Sequence, residues 1–232
     1  MTTTYDLTQQ TLRDLNGVLH QASDGDTFVV TNTRGAHAVA AGITAEVDVN
    51  VEGSVGYYCA GMHQRGTVTV NGNAGTGLAE NIMSGTVRVT GNATMSAGAT
   101  GCGGLVVIEG NSGARCGISV KGVDIVVGGN IGHMSGFMAQ AGNLVVLGDA
   151  DHDLGDSIYE ANIFVRGSVS SLGSDCIEKE IRPEHHKELE RLLTLAELGG
   201  KASDFRRYGS ARELYNFHID DINAELSQKG QS

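Results

Sequence analysis

Between residues 49 and 167, apolar and polar positions alternate in short bursts that return every 19 residues. Each burst ends on a glycine: Gly53, Gly72, Gly91, Gly110, Gly129, Gly148 and Gly167, with no slip. Two positions earlier stand Val51, Val70, Val89, Ile108, Val127, Val146 and Val165. Four positions earlier stand Val49, Val68, Val87, Val106, Ile125, Leu144 and Ile163. Every member of both columns is a branched aliphatic, and alternation of period two predicts a strand with one buried face. The column between them runs Asn50, Thr69, Arg88, Val107, Val126, Val145, Phe164. It begins polar and ends apolar, so the outer face of the later strands is expected to be covered.

After each glycine comes a short polar residue: Ser54, Asn73, Asn92, Asn111, Asn130, Asp149 or Ser168. Glycine and these side chains tolerate a left-handed bend, which predicts a corner. A small inward column follows at Val55, Ala74, Ala93, Ser112, Ile131, Ala150 and Val169, and a second at Ala60, Ala79, Gly98, Gly117, Gly136 and Gly155. A further turn glycine recurs at Gly66, Gly85, Gly104 and Gly142. One strand, two glycine-marked corners and no helical periodicity in 19 residues describe one coil of a parallel β-helix. A single coil cannot bury its interior, but stacked coils align the aliphatic columns into ladders. Parallel crossovers take the right hand. The expected fold is all-β: a single-stranded right-handed parallel β-helix of about seven to eight coils, at about 4.8 Å per coil. Segment 28–46 reads as a blurred further copy. A β-sandwich with accidental spacing is the competing fold, and its variable loop lengths disfavour it.

Three regions follow: an N-terminal helical cap over 1–27, the β-helix over 28–175, and a C-terminal helix with a tail over 176–232. Residues 8–21 predict a short amphipathic helix, with Thr8 as N-cap and Leu12, Leu15 and Leu19 on one face. Pro183 opens a second helix that aligns Leu189, Leu192, Leu193 and Ala196 and closes at Gly199-Gly200. The tail carries Phe205, Arg206, Arg207, Tyr208, Arg212, Leu214, Tyr215 and Phe217, residue types enriched at protein interfaces. The tail could fold back as a second cap, but docking on a partner is the favoured expectation, with the stretch from residue 201 onward dispensable for folding. The outer residues Val107, Val126 and Val145 are expected to contribute to that contact.

Composition narrows the function. The chain of 232 residues has 34 Gly, one Pro, four Cys and 16 Lys+Arg against 27 Asp+Glu, a formal net charge of -11. That balance disfavours nucleic-acid and anionic-membrane binding. The first residues lack a basic stretch followed by an apolar one, so a cytoplasmic protein with reduced thiols is expected. Cys59 and Cys116 share a column three coils apart, too far for a disulfide.

The chemistry-bearing residues are few. His133 and His152 stack in adjacent coils and could hold a metal together with the run Asp149-Ala150-Asp151-His152-Asp153, as a β-helix enzyme would. The same run through Glu160 mimics an EF-hand loop, but position 6 is Leu154 instead of Gly and no helices flank it. Gly75-Thr76-Gly77 does not lie between a strand and a helix, so it is no dinucleotide fingerprint, and there is no P-loop. The expectation is no catalytic, cofactor-binding or metal residue on this chain.

The repeats from Gly91-Asn92-Ala93 to Gly148-Asp149-Ala150, with Gly132-His133-Met134-Ser135-Gly136-Phe137-Met138, resemble the GXGXG domain, the C-terminal β-helix of the glutamate synthase large subunit. The β-helical scaffold of formylmethanofuran dehydrogenase is a relative of that domain and gives an alternative reading. Asp156-Ser157-Ile158-Tyr159-Glu160-Ala161, Ser171-Leu172-Gly173-Ser174-Asp175-Cys176 and Asp204-Phe205-Arg206-Arg207-Tyr208-Gly209-Ser210 look like the stand-alone GXGXG subunits of N-methylglutamate synthase (methylamine–glutamate N-methyltransferase). The resemblance implies a non-catalytic structural subunit in a hetero-oligomer. Its partners would be a class II glutamine amidotransferase-like subunit and an FMN-binding, iron–sulfur synthase-like subunit.

Overall fold

In a computed structural model, which describes residues 2–212, each 19-residue unit is one turn of a right-handed parallel β-helix of about seven regular turns. Nine parallel strands climb in sequence order: β1 (Thr2–Asp6), β2 (Thr27–Thr31), β3 (Asp48–Glu52), β4 (Thr67–Asn71), β5 (Thr86–Val89), β6 (Leu105–Ile108), β7 (Lys121–Val127), β8 (Ala141–Val146) and β9 (Asn162–Val165). Register follows the columns. Val68 pairs with Val87 and Val87 with Val106, so the aliphatic positions stand in file. Their side chains are fully buried and form one continuous core from Phe28 to Val165. Each such valine or isoleucine contributes roughly 1.5–3 kcal/mol by leaving water.

The small column after each corner also pairs rung to rung, as isolated bridges from Val55 through Ala74, Ala93, Ser112, Ile131 and Ala150 to Val169. The corner itself has a different cause from the expected left-handed bend. Apart from Gly53, its glycines do not take positive φ. They are required by close approach: a Cβ at Gly110 would lie 2.6 Å from Asn92 Oδ1 and 2.7 Å from the Gly91 carbonyl oxygen. From Gly91 to Gly167 each corner N–H donates to the glycine carbonyl one rung below, as Gly110 does to Gly91 at 3.0 Å.

The first two coils are longer than the rest. Thr2 pairs with Thr27 and Thr27 with Asp48, before Asp48 pairs with Thr67 and the 19-residue period sets in. The extra length of the first coil holds helix α1 (Leu12–Leu19). Its N-cap is Thr11, not Thr8. The Asp14 N–H donates to Thr11 Oγ1, and the Thr11 N–H donates back to Asp14. Thr8 instead closes a turn with the Asp6 carboxylate. Leu15 and Leu19 are buried against the end of the core.

At the far end, the chain leaves the period. β10 (Cys176–Lys179) leads to helix α2 (Pro183–Ala196), a single 3-10 turn at Ala202–Asp204 and β11 (Arg206–Ser210). β11 inserts antiparallel between β9 and β10. α2 lies across the outer face of the later strands. Leu189, Leu192, Leu193 and Ala196 pack with Phe205 on Val107, Val126, Val145 and Phe164. Arg88 marks where this cover ends: its guanidinium donates to the Ala196 carbonyl at the helix C-terminus and pairs with Glu109. The polar-to-apolar drift of the outer column is the footprint of α2.

Two expectations are thereby corrected. Val107, Val126 and Val145 are fully buried within the chain and offer nothing to a partner. Phe205 and Tyr208 are likewise buried, so the tail from residue 201 is part of the fold and its removal would strip a strand from the sheet. Leu214, Tyr215 and Phe217 lie outside the described residues. No helix among the described residues is long and apolar enough to cross a membrane.

Candidate functional site

The polar corner residues form a ladder of their own. The Asn92 N–H donates to Asn73 Oδ1, Asn111 to Asn92, Asn130 to Asn111, Asp149 to Asn130 and Ser168 to Asp149, all at 2.7–2.8 Å. Asp149 therefore continues a structural column. Two donations from Ser168, by its N–H and its hydroxyl, hold the Asp149 carboxyl below the usual carboxylate range. This accounts for the EF-hand-like spacing, because a side chain at that position must accept from the next rung. Asp149 and Asp151 line a shallow hollow of about 260 Å³ with Asn130 and Ser170.

His133 and His152 do lie on adjacent rungs, joined by the Met134 N–H donating to the His152 carbonyl. Both are exposed. His152 sits 3.7 Å from the Asp151 carboxylate and 3.4 Å from the Ser171 hydroxyl. Among the described residues, no three His, Cys, Asp or Glu side chains gather as a metal ion needs. The four cysteines are free. Burial pushes the Cys59 thiol up to about 12 and the Cys116 thiol up to about 11. These two are unreactive core side chains.

The side of the rod away from the strands is built on unusual backbone. Positive φ recurs at every second residue through the turn: Tyr58, Ala60 and Met62 in one coil, Ser96, Gly98 and Thr100 two coils on, Met134, Gly136 and Met138 two coils further. The N–H groups of these residues carry the rung-to-rung bonds. Tyr58 donates to Thr76, Ala60 to Val39 and Met62 to Glu80. Alternate left-handed residues thus keep the segment extended and hydrogen-bonded in both directions. A non-glycine residue held there costs about 1–3 kcal/mol, which the ladder must offset.

This turn side carries most of the large exposed apolar side chains of the rod. Tyr57 and Met95 stand four residues after their corner glycines, Met62 and Met138 nine after, and Met83 and Tyr159 eleven after. Tyr57 is 59% exposed yet fixed, because its ring stacks on His37 at 3.9 Å and its N–H donates to His37 Nδ1. Methionine adapts its shape to a partner surface, and an ordered exposed tyrosine is a typical interface anchor. Sequence reading missed this face because it is spread over three columns of mixed type. The column of Met83 also holds Gln64, Cys102, Lys121 and Gln140. The usable signal was that these large apolar residues fall outside every inward column.

Protein GlxC of Rhizobium meliloti (strain 1021) is 60% identical to this chain over 223 residues, covering 94% of this chain and 98% of that protein. No protein-family profile matches the chain, and no solved structure matches it.

Proposed function

The chain belongs to the family of protein GlxC, and from that premise we propose that it is a non-catalytic β-helix subunit of a glutamate synthase-like enzyme of the N-methylglutamate synthase type. In this reading the rod bridges a class II glutamine amidotransferase-like chain and an FMN- and iron–sulfur-bearing synthase-like chain, and the flavin and the cluster belong to that partner. The observation that carries the reading is the turn side of the rod. Its methionines and tyrosines are exposed along several successive coils, while the later strands on the opposite side are sealed by α2. The GXGXG-like repeats supply the family of partners. A rod whose every rung is bonded to the next holds two docked chains at a fixed separation, which favours transfer of ammonia or methylamine between their sites.

The test is to purify the tagged full-length chain from its native cells and identify what accompanies it. An amidotransferase-like chain and a flavoprotein in fixed ratio are expected. A molybdenum- or tungsten-bearing partner in place of the flavoprotein would point to the formylmethanofuran dehydrogenase type of scaffold. A chain that purifies alone and turns over substrate would reject the scaffold reading.

A further inference from the structure

We infer that the C-terminal cap holds a binding site for a carboxylate, built by Arg207 of β11 and Lys179 of β10. Arg207 is only 9% exposed. Its Nε donates to the Glu180 carbonyl at 3.0 Å and its Nη1 to Asn162 Oδ1 at 2.9 Å, while Nη2 has no partner among the described residues. Lys179 is half-buried, and its ammonium donates to the Ser210 carbonyl at 2.8 Å. Neither cation is paired with a carboxylate among the described residues. Of the other arginines near this end of the rod, Arg191 pairs with Asp124 and Glu188, Arg206 with Glu178, and Arg212 with Asp175, whereas the exposed Arg166 donates to the Leu147 carbonyl.

Arg207, Lys179, His185, Asn162, Glu160 and Arg212 line a polar pocket of about 380 Å³. Arg212 is neutralised by Asp175, and the exposed Glu160 offsets one of the two remaining cations. The surplus is one positive charge, which suits a single carboxylate. His185 accepts the Arg182 N–H on Nδ1, which leaves its proton on Nε2 as a further donor in the lining. A guanidinium with a free nitrogen beside an ammonium is the arrangement that grips a carboxylate. Arg182 adds positive potential, and the exposed Glu180 and Glu184 reduce it from outside. A buried guanidinium without a counter-ion is costly, so the site gains from being filled.

The carboxylate has two sources of the same chemistry: a small free carboxylate, or a side chain of this chain after Arg212, of which Glu213 is the first. Calorimetric titration of the full chain with succinate at constant ionic strength tests the site and separates the sources. Saturable one-to-one binding, weakened about tenfold or more in Lys179→Met and in Arg207→Lys, is expected for a free ligand. If the chain's own carboxylates fill the pocket, the wild type binds no succinate, but a variant carrying E213Q, D220N, D221N and E225Q binds it. The site is disproved if neither protein binds succinate, or if binding survives unchanged in Lys179→Met. That variant keeps the test valid should Arg207→Lys fail to fold.

Discussion

The two sides of each coil solve one problem with different backbones. On the strand side, ordinary extended residues pair in register and alternate inward valine with outward polar or covered residues. On the turn side, left-handed residues at every second position make the bonds to the coils above and below. The strand side takes its stability from aliphatic burial. The turn side carries backbone strain and exposes methionine and tyrosine. Within one rod, the side that stabilises the fold and the side suited to recognition are different sides, so they respond to substitution in different ways.

The largest expected effect is on the strand side. Val87→Asp places a charge among fully buried valines and should cost more than about 4 kcal/mol, so that circular dichroism shows no cooperative native transition. At the corner, Gly110→Ala brings a Cβ against Asn92 Oδ1 and the Gly91 carbonyl and should cost about 1–3 kcal/mol in chemical denaturation. Gly17→Ala is its control. Gly17 lies in α1 with nothing within 4 Å of an added Cβ, so a gain of about 0.5–1 kcal/mol is expected.

The sharpest contrast between the sides is one substitution made on each. Thr69→Gly on β4 should destabilise by about 1 kcal/mol. Arg115→Gly, on the turn side at φ 58°, should be neutral or stabilise by up to about 1 kcal/mol, because glycine relieves the left-handed strain. Equal losses at both positions would mean that the turn side is not strained.

The smallest effect is on pH dependence. Burial holds the His63 imidazole below its ordinary value of 6.5, while its Nε2 bonds the Gly66 carbonyl and its Nδ1 has no partner. The unfolded chain therefore takes up the proton first. Stability from this group is complete above about 6.5 and falls as the pH drops through and below that value. Ile82 occupies the same position one coil on, so His63→Ile should fold and show a shallower loss of thermal midpoint between about pH 7 and pH 5. An unchanged slope would remove His63 as a contributor.

The strand side was legible in the sequence because valine columns, corner glycines and the drift from Asn50 to Phe164 are all dictated by what each position touches. That drift foretold a cover, though not that α2 of the same chain supplies it. The turn side was legible only in its small inward column from Ala60 to Gly155, and not in its backbone. Tyr58, Met62, Arg115 and Met134 adopt left-handed φ under tertiary constraint, and nothing in their side chains announces it. β1 was hidden because α1 interrupts the first coil and breaks the spacing. The Arg207–Lys179 pocket was hidden for a related reason. Its two cations meet only through an antiparallel pairing that departs from the repeat, with Lys179 directly opposite Arg207. Asp149 shows the converse hazard, since a ladder residue there imitated a calcium loop.

If the turn side is where partners sit, assembly must shield its methionines. Hydroxyl-radical labelling of the chain alone and in its purified complex reads this at Met62, Met83, Met95 and Met138, with exposed Leu195 on α2 as reference. Assembly should lower the labelling of two or more of these methionines several-fold and leave Leu195 unchanged. Equal labelling of all four methionines in the free chain and the complex, with protection appearing on α2 instead, would contradict a partner-binding turn side.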